Sequence, residues 1–183
     1  MGKRILVIST SLRKGSNSDL LTDEFIRGAS EMGHTVEKVS LKDKTIQFCK
    51  GCLVCQSKKD GHCVIHDDAD AIVQDMRKAD VLVFATPIYY YEMSGQMKTL
   101  LDRANPLFPL DYAFRSVYLL AASAEEEPSA MDGAVQGLEG WISCFEQSRL
   151  AGVLRGIGAD DAGSIRNRPE LLREAYEMGR MVE

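Results

Sequence analysis

The 183-residue sequence has no surplus of basic residues and no long hydrophobic run. Its 22 lysines and arginines are outnumbered by 27 aspartates and glutamates, which gives a formal net charge of −5. A protein that neutralises nucleic-acid phosphates needs the opposite balance, so we expect no nucleic-acid partner. No apolar segment approaches the roughly 20 residues of a membrane-spanning helix, so we expect no membrane partner either.

The first ten residues, MGKRILVIST, also lack the small-residue cleavage site of a secretory signal peptide. Leu6 stands where a myristoylation motif requires Ser or Thr. We therefore expect a cytoplasmic location. In that reducing compartment, the five cysteines are expected to be thiols or metal ligands rather than structural disulfides.

Short apolar runs alternate with longer amphipathic segments along the whole chain. Continuously apolar runs such as residues 4–10 and 81–87 are typical of strands buried on both faces. Alternation with helices predicts an α/β fold, in which a doubly wound parallel sheet carries helices on both faces. The length fits a single domain over residues 1–183. The five predicted strands are RILVIST, HTVEKVSL, VLVFATP, SVYLLAAS and RLAGVLRGIG.

One loop, at about residues 42–68, has no clear periodicity. Loops longer than about 12–15 residues are uncommon and are usually functional. Asp67 and Asp68 at its end are expected to cap the next helix. The loop holds four of the five cysteines, in the spacing Cys49-x2-Cys52-x2-Cys55-x7-Cys63. The fifth, Cys144, is expected to be a buried core thiol.

This cysteine spacing leaves three interpretations open. The compact run is similar to the ligation of a [4Fe–4S] cluster, with Cys63 as the fourth ligand. A zinc site is the second, in which Cys49, Cys52 and Cys55 are joined by His62 or Cys63. Unligated or redox-active thiols, including a disulfide within a C-x2-C pair, are the third. Because the loop has few large apolar residues, a metal centre or a subunit contact must offset the entropy of ordering it.

The loop after the first strand, residues 9–21, is rich in hydroxyl groups and carries Arg13. It is neither a Walker loop nor a GxGxxG turn. Such a loop presents backbone N–H groups and hydroxyls at a helix N-terminus, where the helix dipole favours an anion. Plain N-capping by Ser16, Asn17 or Ser18 is the alternative. Its position after the first strand of a parallel sheet favours phosphate binding.

The loop after the third strand carries three consecutive tyrosines, Tyr89, Tyr90 and Tyr91, after Pro87. Aromatic rings at the carboxyl end of a strand can stack on a planar ligand. Packing in the core or at a dimer interface is the alternative.

Four segments together resemble the flavodoxin-like NADPH-dependent FMN reductases, and are most similar to the iron–sulfur flavoprotein branch. The resemblance covers nearly the whole chain. It implies a five-stranded sheet in the order 2-1-3-4-5, with FMN at the edge between the first and third strands. The segments are TSLRKGSNSDLL, CKGCLVC with GHCVIHDD, ADVLVFATPIYYYEMSGQMKTLLDR and GVLRGIGADDAGSI.

The resemblance also implies that the protein is an FMN-dependent oxidoreductase that takes electrons from NAD(P)H or an electron carrier. The acceptor would be a quinone, an azo or nitro compound, a flavin or a protein, and the assembly a homodimer or homotetramer. A flavodoxin-type electron carrier, or a redox sensor that switches through its cysteine loop, is the alternative. No residue is assigned a catalytic role, because the flavin carries the chemistry.

By position, the resemblance implies three groups of FMN-binding residues and one set of metal ligands. In the loop after the fourth strand, AASAEEEPSA replaces the glycine-rich turn of many relatives, and the glutamates are expected to be the solvated start of the next helix. Ser11, Arg13, Ser16, Asn17 and Ser18 would hold the phosphate. Pro87, Ile88, Tyr89 and Tyr90 would line the ribityl chain and isoalloxazine, and Ser123 and Ala124 would offer backbone N–H groups. Cys49, Cys52, Cys55 and Cys63 would ligate a [4Fe–4S] cluster.

Overall fold

The computed structural model describes residues 2–183, and six β-strands in these residues form one sheet. The strands are β1 (Arg4–Ser9), β2 (Thr35–Ser40), β3 (Val81–Tyr89), β4 (Glu92–Met93), β5 (Ser116–Ala122) and β6 (Arg149–Gly156). Five of them run parallel in the order β2-β1-β3-β5-β6. β4 pairs antiparallel with the end of β3. The predicted parallel sheet and its strand order are confirmed, and β4 is an addition too short to leave a periodic pattern.

Six α-helices connect or flank the strands in the described part of the chain. They are α1 (Asn17–Glu31), α2 (Val54–Lys58), α3 (Asp68–Lys78), α4 (Gly95–Arg103), α5 (Asp132–Ile142) and α6 (Pro169–Arg180). No helix in residues 2–183 has both the length and the apolar character needed to cross a membrane.

The sheet divides the core into two layers because successive residues of a strand point to opposite faces. Ile5 and Val7 of β1 lie in a cluster with α1 and α6. Leu6 and Ile8 lie in the other cluster, which includes apolar residues of α3, α4 and α5. Burying a Leu or Ile side chain contributes about 1.5–3 kcal/mol, so these strands stabilise both layers.

Helices α1 and α6 approach each other more closely than side chains allow. A Cβ atom added at Gly28 of α1 would collide with the carbonyl oxygen of Tyr176, and one added at Gly179 of α6 would collide with that of Phe25. The two glycines therefore let the backbones of the helices pack directly against each other, and α1 carries the polar loop that follows β1.

Helix α5 spans only the eleven residues Asp132–Ile142. A 3₁₀ turn at Pro128–Met131 precedes it, and the helix ends at Ile142. Cys144 therefore lies in the turn beyond the helix and is exposed. The prediction that Cys144 is a buried core thiol is wrong. Helix α5 ends two residues before Cys144 and therefore does not direct that side chain into the core.

The loop that holds the cysteines is mostly irregular, as predicted. It contains only a 3₁₀ turn at Leu41–Asp43 and the short helix α2. Asp67 caps α3, because its carboxylate accepts a hydrogen bond from the N–H of Ala69 at 3.1 Å. The capping role predicted for Asp67 is confirmed, and the same carboxylate has a second partner described below.

Candidate active site

Two adjoining cavities open at the carboxyl edge of the sheet, where the loops after β1, β3, β5 and β6 meet. The inner cavity has a volume of about 170 Å³ and the outer cavity about 440 Å³. Small-molecule sites have volumes of roughly 300–1,000 Å³, and the two cavities together reach that range. The inner cavity is lined by Ser11, Arg13, Ser16, Asn17, Ser18, Pro87, Ile88, Tyr89, Ala122, Ala124, Ala159 and Asp160. The outer cavity is lined by Ile88, Tyr89, Tyr90, Tyr91, Ser123, Ala124, Glu125 and Ala130.

All eleven residues assigned to FMN from the sequence line one or both cavities. Nine line the inner cavity, and Tyr90 and Ser123 line only the outer one. Their individual roles remain predictions. Sequence reasoning missed Ala159 and Asp160 of the loop after β6, although the motif GIGADD at a strand's carboxyl end was a signal for them.

The loop after β1 leads into the N-terminus of α1 and is the candidate phosphate site. Ser16 is the N-cap, and its hydroxyl accepts a hydrogen bond from the N–H of Asp19 at 3.2 Å. Within residues 2–183, the backbone N–H groups of Ser16, Asn17 and Ser18 have no acceptor. These open donors and the positive end of the helix dipole fit a phosphate group. The buried hydroxyl groups of Ser11 and Ser18 lie in the same cavity.

The side chain of Asn17 has a different task from its backbone. Its amide nitrogen donates to the carbonyl oxygens of Ala159 and Asp161, both at 2.9 Å. Its side-chain oxygen accepts from the N–H of Ile165 at 3.1 Å. The side chain therefore fastens the loop after β6 to α1, and only the backbone N–H of Asn17 is free to meet a phosphate.

Arg13 lies at the exposed mouth of the inner cavity. Its Nη1 donates to the carbonyl oxygen of Asp160 at 3.1 Å. Because a guanidinium has five N–H donors, this contact holds the side chain in place and leaves other donors for an anion.

Tyr90 and Tyr91 form the two-residue turn between β3 and β4. Both have positive φ angles, 51° and 65°, while Tyr89 and Glu92 pair on either side. This is the pattern of a type I′ hairpin, which normally selects Asn-Gly. Each such residue costs about 1–3 kcal/mol of strain, and the turn places the exposed Tyr90 at the outer cavity.

The loop after β5 offers fewer backbone donors than predicted from the sequence. The N–H of Ser123 donates to the carbonyl oxygen of Gly156 at 2.9 Å, so it is already paired. The N–H of Ala124 has no acceptor among residues 2–183 and is open at the junction of the cavities. The glutamates are exposed, and Glu126 pairs with Arg168 at 2.9 Å.

Four cysteines converge on a third, smaller cavity of about 10 Å³, lined by Cys49, Cys52, Cys55, Cys63 and Arg103 among others. Three of the four sulfur atoms accept N–H hydrogen bonds, as the sulfur ligands of iron–sulfur clusters do. The donors are Gly51 N to Cys49 at 3.4 Å, Ile65 N to Cys63 at 3.5 Å and Asn105 Nδ2 to Cys55 at 3.6 Å. In residues 2–183, no three Cys, His, Asp or Glu side chains are already arranged around one metal position.

Cys55 is the buried member of this group, whereas Cys49 and Cys52 are exposed. Burial raises the pKa of the Cys55 thiol, and the neighbouring Cys63 raises it further. A thiol with a raised pKa is a poor nucleophile without a metal ion. Cys55 is therefore poorly suited to thiol catalysis.

Arg103 brings a buried positive charge to the cysteine cavity. The guanidinium forms an ion pair with Asp67 at 2.7 Å, and both side chains are nearly inaccessible to solvent. Burial by itself lowers the pKa of Arg103, but Asp67 and the nearby Cys63 sulfur raise it above its ordinary value. Arg103 Nε is buried and has no hydrogen-bond partner among residues 2–183. Four thiols beside an unpaired cationic donor fit an anionic iron–sulfur group.

Residues 3–146 match the family model of the NADPH-dependent FMN reductases. The chain belongs to this family. The matched range contains the loop after β1, the cysteine segment and the β3–β4 hairpin. FMN, the cofactor predicted from the sequence, is the flavin for which the family is named.

Two curated iron–sulfur flavoproteins are similar to this chain in sequence. An iron–sulfur flavoprotein of Methanosarcina thermophila is 29% identical over 187 residues, which cover 98% of this chain and 97% of that protein. One of Methanocaldococcus jannaschii is 38% identical over 104 residues, or 57% of this chain and 53% of that protein. The chain thus spans about half the length of the second relative.

A solved structure supports the fold. The NAD(P)H:quinone oxidoreductase of Methanothermobacter marburgensis superimposes with a TM-score of 0.74 over 98% of this chain and 96% of its own, at 16% identity. At that identity the likeness shows the fold alone, and the predicted flavodoxin-like architecture is confirmed.

Proposed function

We propose that the protein is an FMN-dependent NAD(P)H oxidoreductase. It takes electrons from a reduced nicotinamide or an electron carrier and passes them to a quinone, an azo or nitro compound, a flavin or a protein. One observation carries the proposal: the three open N–H groups at the start of α1 face a cavity that continues into a wider, open one. This shape fits a phosphate at the closed end and a redox-active ring at the open end.

The chain's own residues bind and orient the cofactor. Ser11, Ser16 and Ser18 hold the phosphate with the N-terminus of α1, and Arg13 covers it from the cavity mouth. Pro87 lines the inner cavity and Ile88 lines both, and the N–H of Ala124 donates at their junction. When bound, FMN accepts a hydride and releases electrons singly or in pairs. The outer cavity leaves one side open for the nicotinamide and then for the acceptor.

We also propose that Cys49, Cys52, Cys55 and Cys63 hold a [4Fe–4S] cluster that exchanges electrons with the flavin. Their common cavity, the N–H donors to three of their sulfur atoms and the buried Arg103 support this choice over zinc or free thiols. The relatives named iron–sulfur flavoproteins support it as well.

The proposal includes a homodimer or homotetramer in the cytoplasm. Five free cysteines suit a reducing compartment. Three exposed apolar side chains of the cysteine segment, Phe48, Leu53 and Val64, suit burial against another subunit.

Anaerobic purification, followed by an absorption spectrum, iron and sulfide analysis and NAD(P)H oxidation assays with a quinone or dye, tests the function. We expect flavin bands, a broad iron–sulfur absorption and turnover with at least one acceptor. Flavin without turnover with any acceptor would leave a flavodoxin-type carrier in place of the enzyme. Flavin and turnover without iron would remove the cluster and retain the reductase.

A further inference from the structure

Arg103 is the largest fully buried side chain in the described residues, and among them it is the one buried lysine or arginine. Because burying a charge is costly unless its hydrogen bonds are satisfied, each of its five N–H donors needs a partner. Arg103 is the last residue of α4, the helix that follows the β3–β4 hairpin. Its contacts therefore connect the hairpin side of the flavin site with the cysteine segment.

Four of the five donors are used to hold the two ends of the cysteine segment. Nη1 donates to the carbonyl oxygen of Gln47 at 2.8 Å and to Asp67 Oδ2 at 2.7 Å. Nη2 donates to the carbonyl oxygen of Ile65 at 3.0 Å and to Asp67 Oδ1 at 2.9 Å. Gln47 lies before the first cysteine of the segment, and Ile65 lies after the last. One guanidinium thus closes the segment into a loop.

Asp67 completes this arrangement. Its Oδ2 also accepts from the N–H of Gln47 at 2.8 Å, and its Oδ1 accepts from that of Ala69 at 3.1 Å. The carboxylate is saturated by these bonds, and the bidentate pair fixes the guanidinium plane. Arg103 therefore has no freedom to turn its remaining donor elsewhere.

The fifth donor, Nε–H, is buried without an acceptor among residues 2–183, and Arg103 lines the cavity of the four cysteines. A buried unpaired donor of a charged group is rare, so it indicates a partner that enters the cavity. Sulfur is the acceptor atom that the cavity provides. A thiolate or sulfide bound to iron is anionic, which makes it a much better acceptor than a neutral thiol.

We propose that Arg103 is the positioning residue and counter-charge of the cysteine cavity, and that its Nε–H, which has no acceptor among residues 2–183, donates to the sulfur of Cys63 when that sulfur is a metal-bound thiolate. This inference rests on the proposed cluster. Reduction adds one electron, taken from the reduced flavin or from a chemical reductant, and no proton. The added negative charge is stabilised by the fixed cation, so Arg103 raises the reduction potential of the group.

The test uses the anaerobically purified full-length protein, with flavin, iron and sulfide measured first. Redox titration followed by electron paramagnetic resonance gives the midpoint potential of the wild type, Arg103→Lys and Arg103→Gln. We expect Arg103→Gln to shift the potential downward and to lose most of its iron at equal flavin content. Arg103→Lys keeps the positive charge and is expected to shift the midpoint potential less. Arg77→Gln removes a half-buried arginine whose Nε donates to one carbonyl oxygen, and serves as the matched control.

Because Arg103→Gln leaves Asp67 buried and unpaired, it can fail to fold. The double variant Asp67→Leu/Arg103→Met removes both charges, and such apolar replacements of buried ion pairs are often neutral for stability. We expect it to fold and still to show the lowered potential. A potential equal to that of the wild type in this double variant would overturn the proposal.

A protein without iron would contradict the cluster, and the inference about Arg103 is then tested on the iron-free chain after addition of Zn²⁺, which binds cysteines as thiolates. The Nε–H resonance of Arg103 in a ¹⁵N NMR spectrum is expected to shift, and to exchange faster with solvent, in Cys63→Ala. Cys49→Ala is the control and is expected to leave it in place. If the chemical shift and exchange rate of this resonance are the same in Cys63→Ala as in the wild type, Nε–H has no sulfur partner and the inference is overturned.

Discussion

Thr10 and Ser94 are joined by a hydrogen bond between their buried hydroxyl groups, whose oxygen atoms lie 3.0 Å apart. Thr10 follows β1 directly and leads into the phosphate loop, whereas Ser94 is the N-cap of α4 and follows the tyrosine hairpin. The N–H of Ser94 also donates to Thr86 Oγ1 at 3.1 Å. The two loops that line the inner cavity are therefore fixed relative to each other by side chains beneath them.

Replacement of Ser94 by Ala is expected to loosen both loops. It removes an N-cap, which costs about 0.5–2 kcal/mol, and it leaves the buried hydroxyl of Thr10 with one partner fewer. We expect a lower free energy of unfolding in urea and weaker FMN binding by fluorescence titration. Ser57→Ala removes an exposed hydroxyl bonded to a backbone carbonyl and is the control. FMN affinity equal to that of the wild type would show that the loops do not depend on this contact.

Ser18→Ala is expected to weaken FMN binding through the phosphate alone. A hydrogen bond to a charged group contributes about 1.5–3 kcal/mol, so affinity is expected to fall at least tenfold. Riboflavin lacks the phosphate and is expected to bind the variant and the wild type equally. An equal loss for both ligands would place Ser18 away from the phosphate.

Asn17→Ala is expected to give the opposite pattern. Its side chain holds the loop after β6, which lines the inner cavity through Ala159 and Asp160. Binding of FMN and of riboflavin should therefore weaken together, with a loss of stability of about 1–3 kcal/mol from the orphaned backbone groups. A loss confined to FMN would indicate that the side chain contacts the phosphate instead.

Gly28→Ala and Gly179→Ala are each expected to destabilise the fold by several kcal/mol, because the added Cβ would meet a backbone carbonyl oxygen of the facing helix. Gly140→Ala is the matched control, since this helical glycine has open space around its Cβ position. It is expected to stabilise the protein by up to about 1 kcal/mol through helix propensity. Thermal unfolding of the three variants measures the contrast, and equal melting temperatures for all of them would refute the close packing of α1 and α6.

Acid should weaken the protein through Asp67. Burial alone raises the pKa of Asp67. The hydrogen bonds from Arg103, Gln47 and Ala69 lower it by more than burial raises it, so the net shift is downward. A carboxyl group with a depressed folded-state pKa contributes stability that is present above its unfolded pKa of about 3.9 and is lost as the pH falls through the folded value. Asp67→Asn is expected to be less stable at neutral pH by about 3–5 kcal/mol, since it leaves a buried guanidinium unpaired. Its unfolding free energy should also change less between pH 5 and pH 2 than that of the wild type, by denaturant titration; parallel pH curves would contradict the assignment.

The sequence predicted those parts of the structure that leave a local pattern. Strands such as β1 and β3 are continuous apolar runs, and the polar loop after β1 sits where a parallel sheet gathers its ligands. The pair of Arg103 and Asp67 joins residues 36 positions apart, and no local period marks such a contact. The task of the Asn17 side chain was hidden for the same reason, because its partners lie more than 140 positions away. The resemblance supplied the cofactor, which neither composition nor periodicity names.

The turn at Tyr90 and Tyr91 has a practical consequence. The Tyr90 side chain is 100% exposed, so its surroundings are solvent and not the core. The turn places it at the rim of the outer cavity. The ¹⁹F NMR signal of a fluorinated tyrosine at this one position would change when a flavin, a nicotinamide or a second subunit binds at that rim. The label requires no mutation in the packed interior.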